Sequence, residues 1–445
     1  MIYKAFTLSN FKEIPQIGKL PSKVCRDMTT VGTVLPFKSN NYIVDELIDW
    51  NHYEDDPIFH LTFPQREMLA DKHFELMRKT LDSTTDHEQI KNTANQIRFE
   101  LNPHPAGQKE HNVPIFNGER LEGIQHKYRE TVLFFPSAGQ TCHAYCTFCF
   151  RWPQFTGLDE FRFAARESEN LVSYLRTHLE VTDILFTGGD PMIMNLKTLE
   201  RYLNPLLENI EATNIQTIRI GTKSLSYWPY KYTTDPEADG LLKLFERITA
   251  LQINLAIMAH FSHPRELETK VVQEAIRRIR GTGAQIRTQS PILKHINDNP
   301  DIWAEMWRKQ VNLNCIPYYM FVPRDTGAQH YFALPLIKTW LIWQQAYQMV
   351  SGICRTVRGP CMSCTPGKVQ LLGRADINNE KVFILRFLQG RNPDWVQRPF
   401  FARYDETAIW MNELQPAFDN EFFFENEEIK VFGEHYSDAF PNDFE

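Results

Sequence analysis

The chain lacks any apolar run of the roughly 18 residues that a membrane-spanning helix needs. Its most apolar stretch, FALPLIKTWLIWQQAY at 332–347, is interrupted by Lys338 and by two glutamines. The first residues, MIYKAFTLSNFKEIPQIGKLP, lack the charged-then-apolar layout of a secretion signal. We therefore expect a soluble cytoplasmic protein without a membrane partner.

The chain also lacks a surplus of basic residues. It carries 48 lysines and arginines against 55 aspartates and glutamates, a net charge of −7 at pH 7. A protein that binds the phosphate backbone usually shows a basic patch or stripe, so we expect no nucleic-acid partner. Its 445 residues are enough for a large core and for up to about three domains.

Cysteine is scarce, with eight in the whole chain, which is too few for a disulfide-stapled secreted fold. Six of the eight fall into two short groups, Cys142, Cys146 and Cys149, and then Cys354, Cys361 and Cys364. In a reducing compartment such grouping indicates metal or redox chemistry more often than cross-links.

What the sequence does contain, from about residue 130, is a regular alternation of short apolar runs with longer helical segments. The runs predict strands at 131–136, 183–188, 216–222, 253–259, 285–290 and 314–322. Between them, segments such as RELETKVVQEAIRRIRGTG have the spacing of a helix lying on a sheet. This pattern predicts an α/β fold, a partial (β/α)6 barrel spanning 126–352. A helical N-terminal region (1–125) would precede it. A small C-terminal extension (353–445) would follow, in which residues 375–445 would form a separate, acidic, aromatic-rich tail.

Polar or glycine-rich residues stand at the end of each predicted strand. The carboxyl ends of barrel strands carry the active site, because the loops there are free of packing duty. The strand-end segments are the first cysteine group, Gly188-Gly189-Asp190, Gly221-Thr222-Lys223, His260-Phe261-Ser262-His263, Gln289-Ser290 and Tyr318-Tyr319.

The first cysteine group has the spacing C-x3-C-x2-C. A structural zinc site takes four ligands, commonly as paired C-x2-C units, and His143 is too close to Cys142 to be a well-placed fourth. Three closely spaced thiolates better suit a cubane iron–sulfur cluster whose fourth iron stays open. A non-catalytic zinc protein remains the alternative.

The motif Cys142-x3-Cys146-Thr147-Phe148-Cys149 resembles the signature of radical S-adenosylmethionine enzymes. Within that superfamily the chain is similar to the lysine 2,3-aminomutase family. The similarity runs from about residue 55 to about 372 through the segments GIQHKYRETVLFF, CFRW, LFTGGDP, IRIGTK, AHFSHP, QSPIL and PYYMF.

The resemblance implies the residues of the first cofactor site. Cys142, Cys146 and Cys149 would bind a [4Fe-4S] cluster, and its open iron would bind S-adenosylmethionine. The remaining S-adenosylmethionine contacts implied by the family would come from Phe148, Gly188, Gly189, Asp190, Lys223, His260 and Gln289.

The resemblance also implies pyridoxal 5′-phosphate, held covalently by Lys368 in CTPGKVQLLG. Arg151 matches the arginine that grips the substrate carboxylate in the family, and a planar guanidinium suits that role. Lys127 and Arg129 are candidates for the cofactor phosphate, and Tyr318 and Tyr319 for the pyridine ring.

The chain departs from the family where the side chain of lysine is recognised. One of two expected aspartates is displaced to Asp325, beside Arg324, and Cys361 stands in place of the other. Losing one carboxylate should weaken ammonium binding by about 2–4 kcal/mol. Cys361, Cys364 and Cys354 lie outside the family pattern, and metal binding, radical transfer and ordinary buried thiols all stay open for them.

The sequence therefore predicts a radical S-adenosylmethionine isomerase that moves an amino group from C2 to C3 of an amino acid other than free lysine. The alternative is a radical enzyme without pyridoxal phosphate that acts on another substrate, such as a peptide. The resemblance implies an electron donor such as flavodoxin or ferredoxin, and it leaves homo-oligomerisation open.

Overall fold

The structure is a computed structural model that describes residues 1–102, 112–157, 163–166 and 168–425. Within these ranges no helix is both long and apolar enough to cross a bilayer. The strands of the same ranges form one sheet of eleven strands and two sheets of two strands.

The N-terminal region is mainly helical. Asp56 starts its second helix: the carboxylate accepts hydrogen bonds from the amides of Ile58 and Phe59, and Pro57 takes the first helical position. The helices are α1 (Ser22–Val34), α2 (Pro57–Thr62), α3 (Asp71–Ser83) and α4 (His87–Glu100). Two small antiparallel pairs accompany them, β1 (Ala5–Thr7) with β2 (Lys38–Asn40), and β3 (Ile115–Phe116) with β4 (Glu119–Arg120).

The centre of the large sheet contains the six predicted strands, each within two residues of its predicted ends. They lie side by side in chain order and are all parallel. The strands are β6 (Thr131–Phe134), β7 (Asp183–Phe186), β8 (Thr217–Thr222), β9 (Asn254–His260), β10 (Gln285–Pro291) and β11 (Ile316–Phe321), preceded by the antiparallel β5 (Ile124–Tyr128).

Helices separate these strands and share one apolar core with them. In α9, for example, Val272, Ile276 and Ile279 are buried at helical spacing, and Thr269 caps its first turn. The helices are α5 (Glu169–Thr177), α6 (Leu196–Glu208), α7 (Ser224–Tyr227), α8 (Ala238–Ala250), α9 (Lys270–Gly281), α10 (Pro300–Asn312), α11 (Gln329–Phe332) and α12 (Leu336–Gln348).

The predicted α/β fold with a partial six-stranded barrel is confirmed. The sheet does not close, because β5 and the last strand of the chain stand at its two edges. Part of the helix predicted between β6 and β7 lies outside the described residues, as do residues 103–111 of the connector after α4.

Beyond the barrel, residues 375–403 continue the sheet rather than forming a separate tail. The strands are β12 (Arg358–Ser363), parallel to β11, followed by the antiparallel β13 (Gly367–Ile377), β14 (Glu380–Gly390) and β15 (Pro399–Arg403). The tight turn between β12 and β13 brings the start of β13 to the edge at which the parallel strands end.

Candidate active site

The three cysteines lie in the loop that follows β6. All three are half-buried free thiols. Burial raises the pKa of each thiol, to about 12 for Cys149, so a metal cation is needed to hold them as thiolates at neutral pH.

In the described part of the chain, no three histidine, cysteine or acidic side chains are grouped so that they could hold one metal ion. The trio is therefore not arranged as the ligand set of a single zinc. Thiolates of a cubane cluster each bind a different iron, so three cysteines on one loop fit such a cluster without meeting at a point.

The N-terminal region holds this cysteine loop from the other side. Lys38 Nζ donates to the carbonyl of Cys142 at 2.7 Å, and the Tyr3 hydroxyl donates to the carbonyl of His143 at 2.7 Å. Further along, the amide of Thr147 donates to the carbonyl of Leu61 at 3.0 Å. The loop therefore depends on residues far away in the sequence for its shape.

Gly188 and Gly189 form a tight turn after β7 that packs against the cysteine loop. Gly188 has φ +145°, and a Cβ on Gly189 would lie 2.5 Å from the backbone of Thr141. Glycine is required here by close backbone approach. The neighbour that makes glycine necessary is Thr141, which directly precedes Cys142.

Asp190 is buried, and its carboxylate is occupied by the protein itself. It accepts hydrogen bonds from the Thr222 hydroxyl at 2.7 Å and from the amides of Met192 and Lys223, both at 2.9 Å. Burial raises its pKa to about 6 against the effect of these bonds. The side chain thus ties the loop after β7 to the loop after β8.

Lys223, predicted to contact S-adenosylmethionine, forms a buried ion pair. Its Nζ lies 2.8 Å from Glu266 Oε1 and 4.5 Å from the centre of the Tyr227 ring. Glu266 is fully buried and also accepts from the amides of Ser262 and His263. The charge of Lys223 is therefore balanced inside the protein.

The structure brings two other predicted residues together. His260 ends β9 and Gln289 is its neighbour on β10, with the Gln289 amide 2.7 Å from His260 Nε2. Burial lowers the pKa of His260 to about 3, so the ring is neutral. Gln289 donates to Nε2, which leaves the ring proton on Nδ1.

A cavity of about 190 Å³ lies beside the cysteine loop, between β5, the central strands and the β12–β13 turn. Phe150 and Arg151, which directly follow Cys149, line it together with Lys368. Neither Phe148 nor Asp325 is among the described residues around it. Phe148 instead contacts Phe332 edge-on, at 6.3 Å between ring centres.

Lys368 lies at the start of β13 and points into this cavity. Its Nζ donates to Gln389 Oε1 at 3.0 Å and lies 4.3 Å from the centre of the Tyr319 ring. Burial and, to a smaller extent, the charge of Arg219 lower the pKa of Lys368 to about 8. At Gly367 a Cβ would lie 2.3 Å from the Gln389 carbonyl, so the strand at this lysine needs glycine.

Other basic residues surround the cavity. Lys127 Nζ donates to the carbonyl of Cys364, and burial lowers its pKa to about 7. Arg391 donates to the carbonyl of Thr365 at 2.9 Å. Arg129, the second phosphate candidate, is exposed instead, 3.8 Å from Glu130.

Arg151 and Arg324 complete the basic lining. Arg151 Nη1 and Arg324 Nε are buried, and neither has a hydrogen-bond partner among the residues that the structure describes. Asp325 lies 4.0 Å from Arg324 Nε, which is too far for a hydrogen bond.

The second cysteine group does not form a site. Cys354 packs in the core of the barrel, Cys361 beside Tyr319, and Cys364 in the core of the C-terminal strands. Among the residues that the structure describes, none of them belongs to a group that could hold a metal ion. The three thiols therefore pack in separate apolar clusters as buried residues, and metal binding or radical transfer by them stays a prediction.

Sequence reasoning missed Glu266, Arg219 and Arg391. Glu266 is the last residue of His263-Pro-Arg-Glu, a capping-box spacing that marks a helix start but does not indicate Lys223 as its partner. Arg391 follows β14, in the region that the sequence suggested was a separate tail.

A six-stranded parallel sheet whose first strand leads into a C-x3-C-x2-C loop defines the class of radical S-adenosylmethionine proteins. Among curated proteins, the chain is 30% identical over 398 residues to a protein of Aquifex aeolicus named "Putative L-lysine 2,3-aminomutase", covering 89% of this chain and 92% of that one. It is 25% identical over 275 residues to the L-lysine 2,3-aminomutase of Clostridium subterminale, covering 62% of each chain. The chain therefore belongs to the lysine 2,3-aminomutase family of radical S-adenosylmethionine proteins.

No family model matches the chain. Solved structures include Streptococcus suis SuiB bound to S-adenosylmethionine, at 12% identity and a TM-score of 0.34 over 60% of this chain and 54% of that one. A radical SAM methyltransferase from Sphaerobacter thermophilus has 17% identity and a TM-score of 0.33 over 53% and 68%. These two likenesses are too distant to add to the assignment.

Proposed function

We propose that the protein is a radical S-adenosylmethionine, pyridoxal phosphate-dependent aminomutase that moves the amino group of a small amino acid from C2 to C3. The observation that carries the proposal is the cavity shared by Arg151, two residues after Cys149, and Lys368. One cavity thus adjoins the proposed cluster and contains the proposed cofactor lysine.

When bound, the cluster and S-adenosylmethionine supply a 5′-deoxyadenosyl radical that abstracts a β-hydrogen, and pyridoxal phosphate supplies a carbonyl carbon that takes up the amino group. Cys142, Cys146 and Cys149 would hold the cluster. The electron that reduces it would come from a small redox protein such as flavodoxin or ferredoxin.

The loops after β7, β8, β9 and β10 would hold S-adenosylmethionine. Because the carboxylate of Asp190 and the ammonium of Lys223 are bonded within the protein, their contribution is to fix the loops that carry them. His260, neutral and oriented by Gln289, presents Nδ1–H as a donor.

Lys368 would hold pyridoxal phosphate through Nζ. A lysine must be neutral to attack a carbonyl carbon, and the lowered pKa makes a neutral amine available near physiological pH. Gln389 fixes the position of Nζ, and the Tyr319 ring lies beneath it. Lys127 is placed to meet the cofactor phosphate, since it lines the same cavity.

Arg151 would bind the α-carboxylate of the substrate. Its guanidinium lies 4.5 Å from the centre of the Phe135 ring and 5.1 Å from that of Phe150, two contacts that help to hold it in place. A substrate carboxylate would fill the bonding position that is open at Nη1.

The test is anaerobic purification, reconstitution with iron and sulfide, and absorbance spectra with and without pyridoxal phosphate, before and after borohydride. We expect about four irons per chain and a borohydride-trapped adduct that peptide mapping places on Lys368. The Lys368→Ala variant should keep its iron and lose the adduct.

Two outcomes would contradict the proposal. Four irons with no adduct on Lys368 would favour a radical enzyme without pyridoxal phosphate. Zinc in place of iron after anaerobic purification would remove the radical chemistry altogether.

A further inference from the structure

The cavity around Lys368 has an unusual balance of charge. Six basic residues line it, namely Lys127, Arg151, Arg219, Arg324, Lys368 and Arg391. No aspartate or glutamate is among the described residues of the lining. Buried cations that repel one another destabilise a fold unless anions balance them, so the ligands of this cavity must bring negative charge.

Two of the six cations are already accounted for. Arg219 donates through Nε to Asp183 Oδ1 at 2.7 Å, so its charge is neutralised within the protein. Lys368 would be taken up by the cofactor carbonyl and would not be available to the substrate. Four basic residues remain for the ligands, and Asp325, 4.0 Å from Arg324 Nε, makes no hydrogen bond to that nitrogen.

Lys127 and Arg391 suit the cofactor phosphate. Both donate to backbone carbonyls of the β12–β13 turn, at Cys364 and Thr365, within four residues of Lys368. A cofactor tethered to Lys368 therefore has both cations near it. A phosphate monoester carries about two negative charges at neutral pH, which matches two cations.

Arg151 and Arg324 then face the substrate. The two guanidinium groups lie 5.1 Å and 5.5 Å from the centre of the same Phe150 ring, both line the cavity, and the charge of Arg324 lowers the pKa of Arg151. Each keeps a buried nitrogen that has no hydrogen-bond partner in the described part of the chain. One α-carboxylate would satisfy Arg151, which leaves the second guanidinium for a second anionic group.

We infer that the substrate is an amino acid with an acidic side chain, and that Arg324 is the residue that recognises the second carboxylate. This inference rests on the proposed function. An ammonium side chain such as that of lysine would instead meet a cationic wall, and the described lining of the cavity offers it no carboxylate.

The test is calorimetric titration of the cluster- and pyridoxal phosphate-loaded protein with L-glutamate, L-glutamine and L-lysine. Glutamine has nearly the shape of glutamate and no side-chain charge. We expect glutamate to bind about tenfold to a hundredfold more tightly than glutamine, the range for a charge-assisted hydrogen-bonded pair. Lysine should bind more weakly than either.

Variants locate the preference. Arg324→Gln should reduce the glutamate-to-glutamine ratio to near unity, and Arg324→Lys should retain part of it. Arg374→Gln removes an exposed arginine of β13 and should leave the ratio unchanged.

An adduct on Lys368 together with equal binding of glutamate and glutamine, or tighter binding of lysine, would overturn the inference and leave the proposed function standing. A ratio that survives in Arg324→Gln would overturn the role of Arg324. Failure to form the adduct at all would remove the proposed function, and this inference with it.

Discussion

The two sides of the candidate active site differ in how their charges are balanced. Around the loops after β7 to β10, Asp190 is bonded to three neighbouring residues and Lys223 is paired with Glu266. Around Lys368, by contrast, Arg151 and Arg324 keep buried nitrogens without partners. The charges of the first side are balanced within the folded protein, whereas those of the second side are balanced only when ligands bind.

This difference has a physical consequence. A fully bonded buried network fixes loop geometry, so substitutions there should appear mainly as lost stability. Buried basic residues that await an anion do not stabilise the empty protein, so substitutions there should not lower the free energy of unfolding and should appear mainly as lost binding. The following predictions test that division.

The largest effect is expected at the cysteine loop. Cys149→Ala should lose essentially all cluster iron after reconstitution, because the cluster keeps too few thiolate ligands. Cys354→Ala, in the barrel core, is the matched control and should retain its iron. Iron and sulfide analysis checks both, and equal loss in the two variants would contradict the assignment of the cluster to the first group.

The buried ion pair should come next. Glu266→Gln leaves the Lys223 ammonium buried without its partner, and we expect a loss of about 3 kcal/mol in the free energy of unfolding. Urea denaturation followed by circular dichroism measures it. Glu274→Gln breaks an exposed pair with Arg277 and should change little. If both variants unfold alike, the network around Lys223 is not the stabilising element that its burial indicates.

The pH dependence of cofactor loading tests the side of the site around Lys368. The pKa of Lys368 is lowered to about 8, so its neutral form grows as pH rises and dominates above that value. The rate of adduct formation should therefore rise up to about pH 8 and then level off, whereas an ordinary lysine would keep gaining up to about pH 10.4. Stopped-flow absorbance at several pH values measures the rate. A rate that still climbs steeply above about pH 9 would show that Lys368 is not shielded as the structure indicates.

Much of the barrel follows from sequence because its signals are local. Each predicted strand, such as 183–188, is an apolar run closed by glycine or a polar residue, and each was found within two residues of its predicted ends. The β13–β14 hairpin was missed because its place in the sheet depends on pairing with β12 and β15, two strands outside the predicted barrel.

The candidate site was predicted less completely than the fold. Sequence patterns identified His260 and Gln289 separately, but only the register of β9 against β10 makes them hydrogen-bond partners. The same holds for Lys223 and Glu266, which are 43 residues apart. Residue type indicates which side chains are chemically useful, while tertiary contacts decide which are free to act.

The smallest effect is expected at Lys38, where the N-terminal region meets the cysteine loop. Its Nζ is 2.7 Å from the carbonyl of Cys142, and burial lowers its pKa while the nearby Cys142 thiolate raises it. A cation beside a cluster stabilises the reduced state, which carries one more negative charge. Lys38→Met should therefore lower the reduction potential of the cluster, as measured by redox titration with electron paramagnetic resonance.

Lys38→Arg is the control that separates charge from loop position. It keeps the positive charge and a donor for the Cys142 carbonyl, so its potential should stay close to that of the unchanged protein. If Lys38→Met keeps the same potential but loses iron, Lys38 acts by holding the loop in shape. If potential and iron content are both unchanged, the N-terminal contacts at Tyr3 and Leu61 hold the loop without it. Either result would show that Lys38 does not tune the charge of the cluster. The contrast in charge balance would then hold only for residues of the barrel.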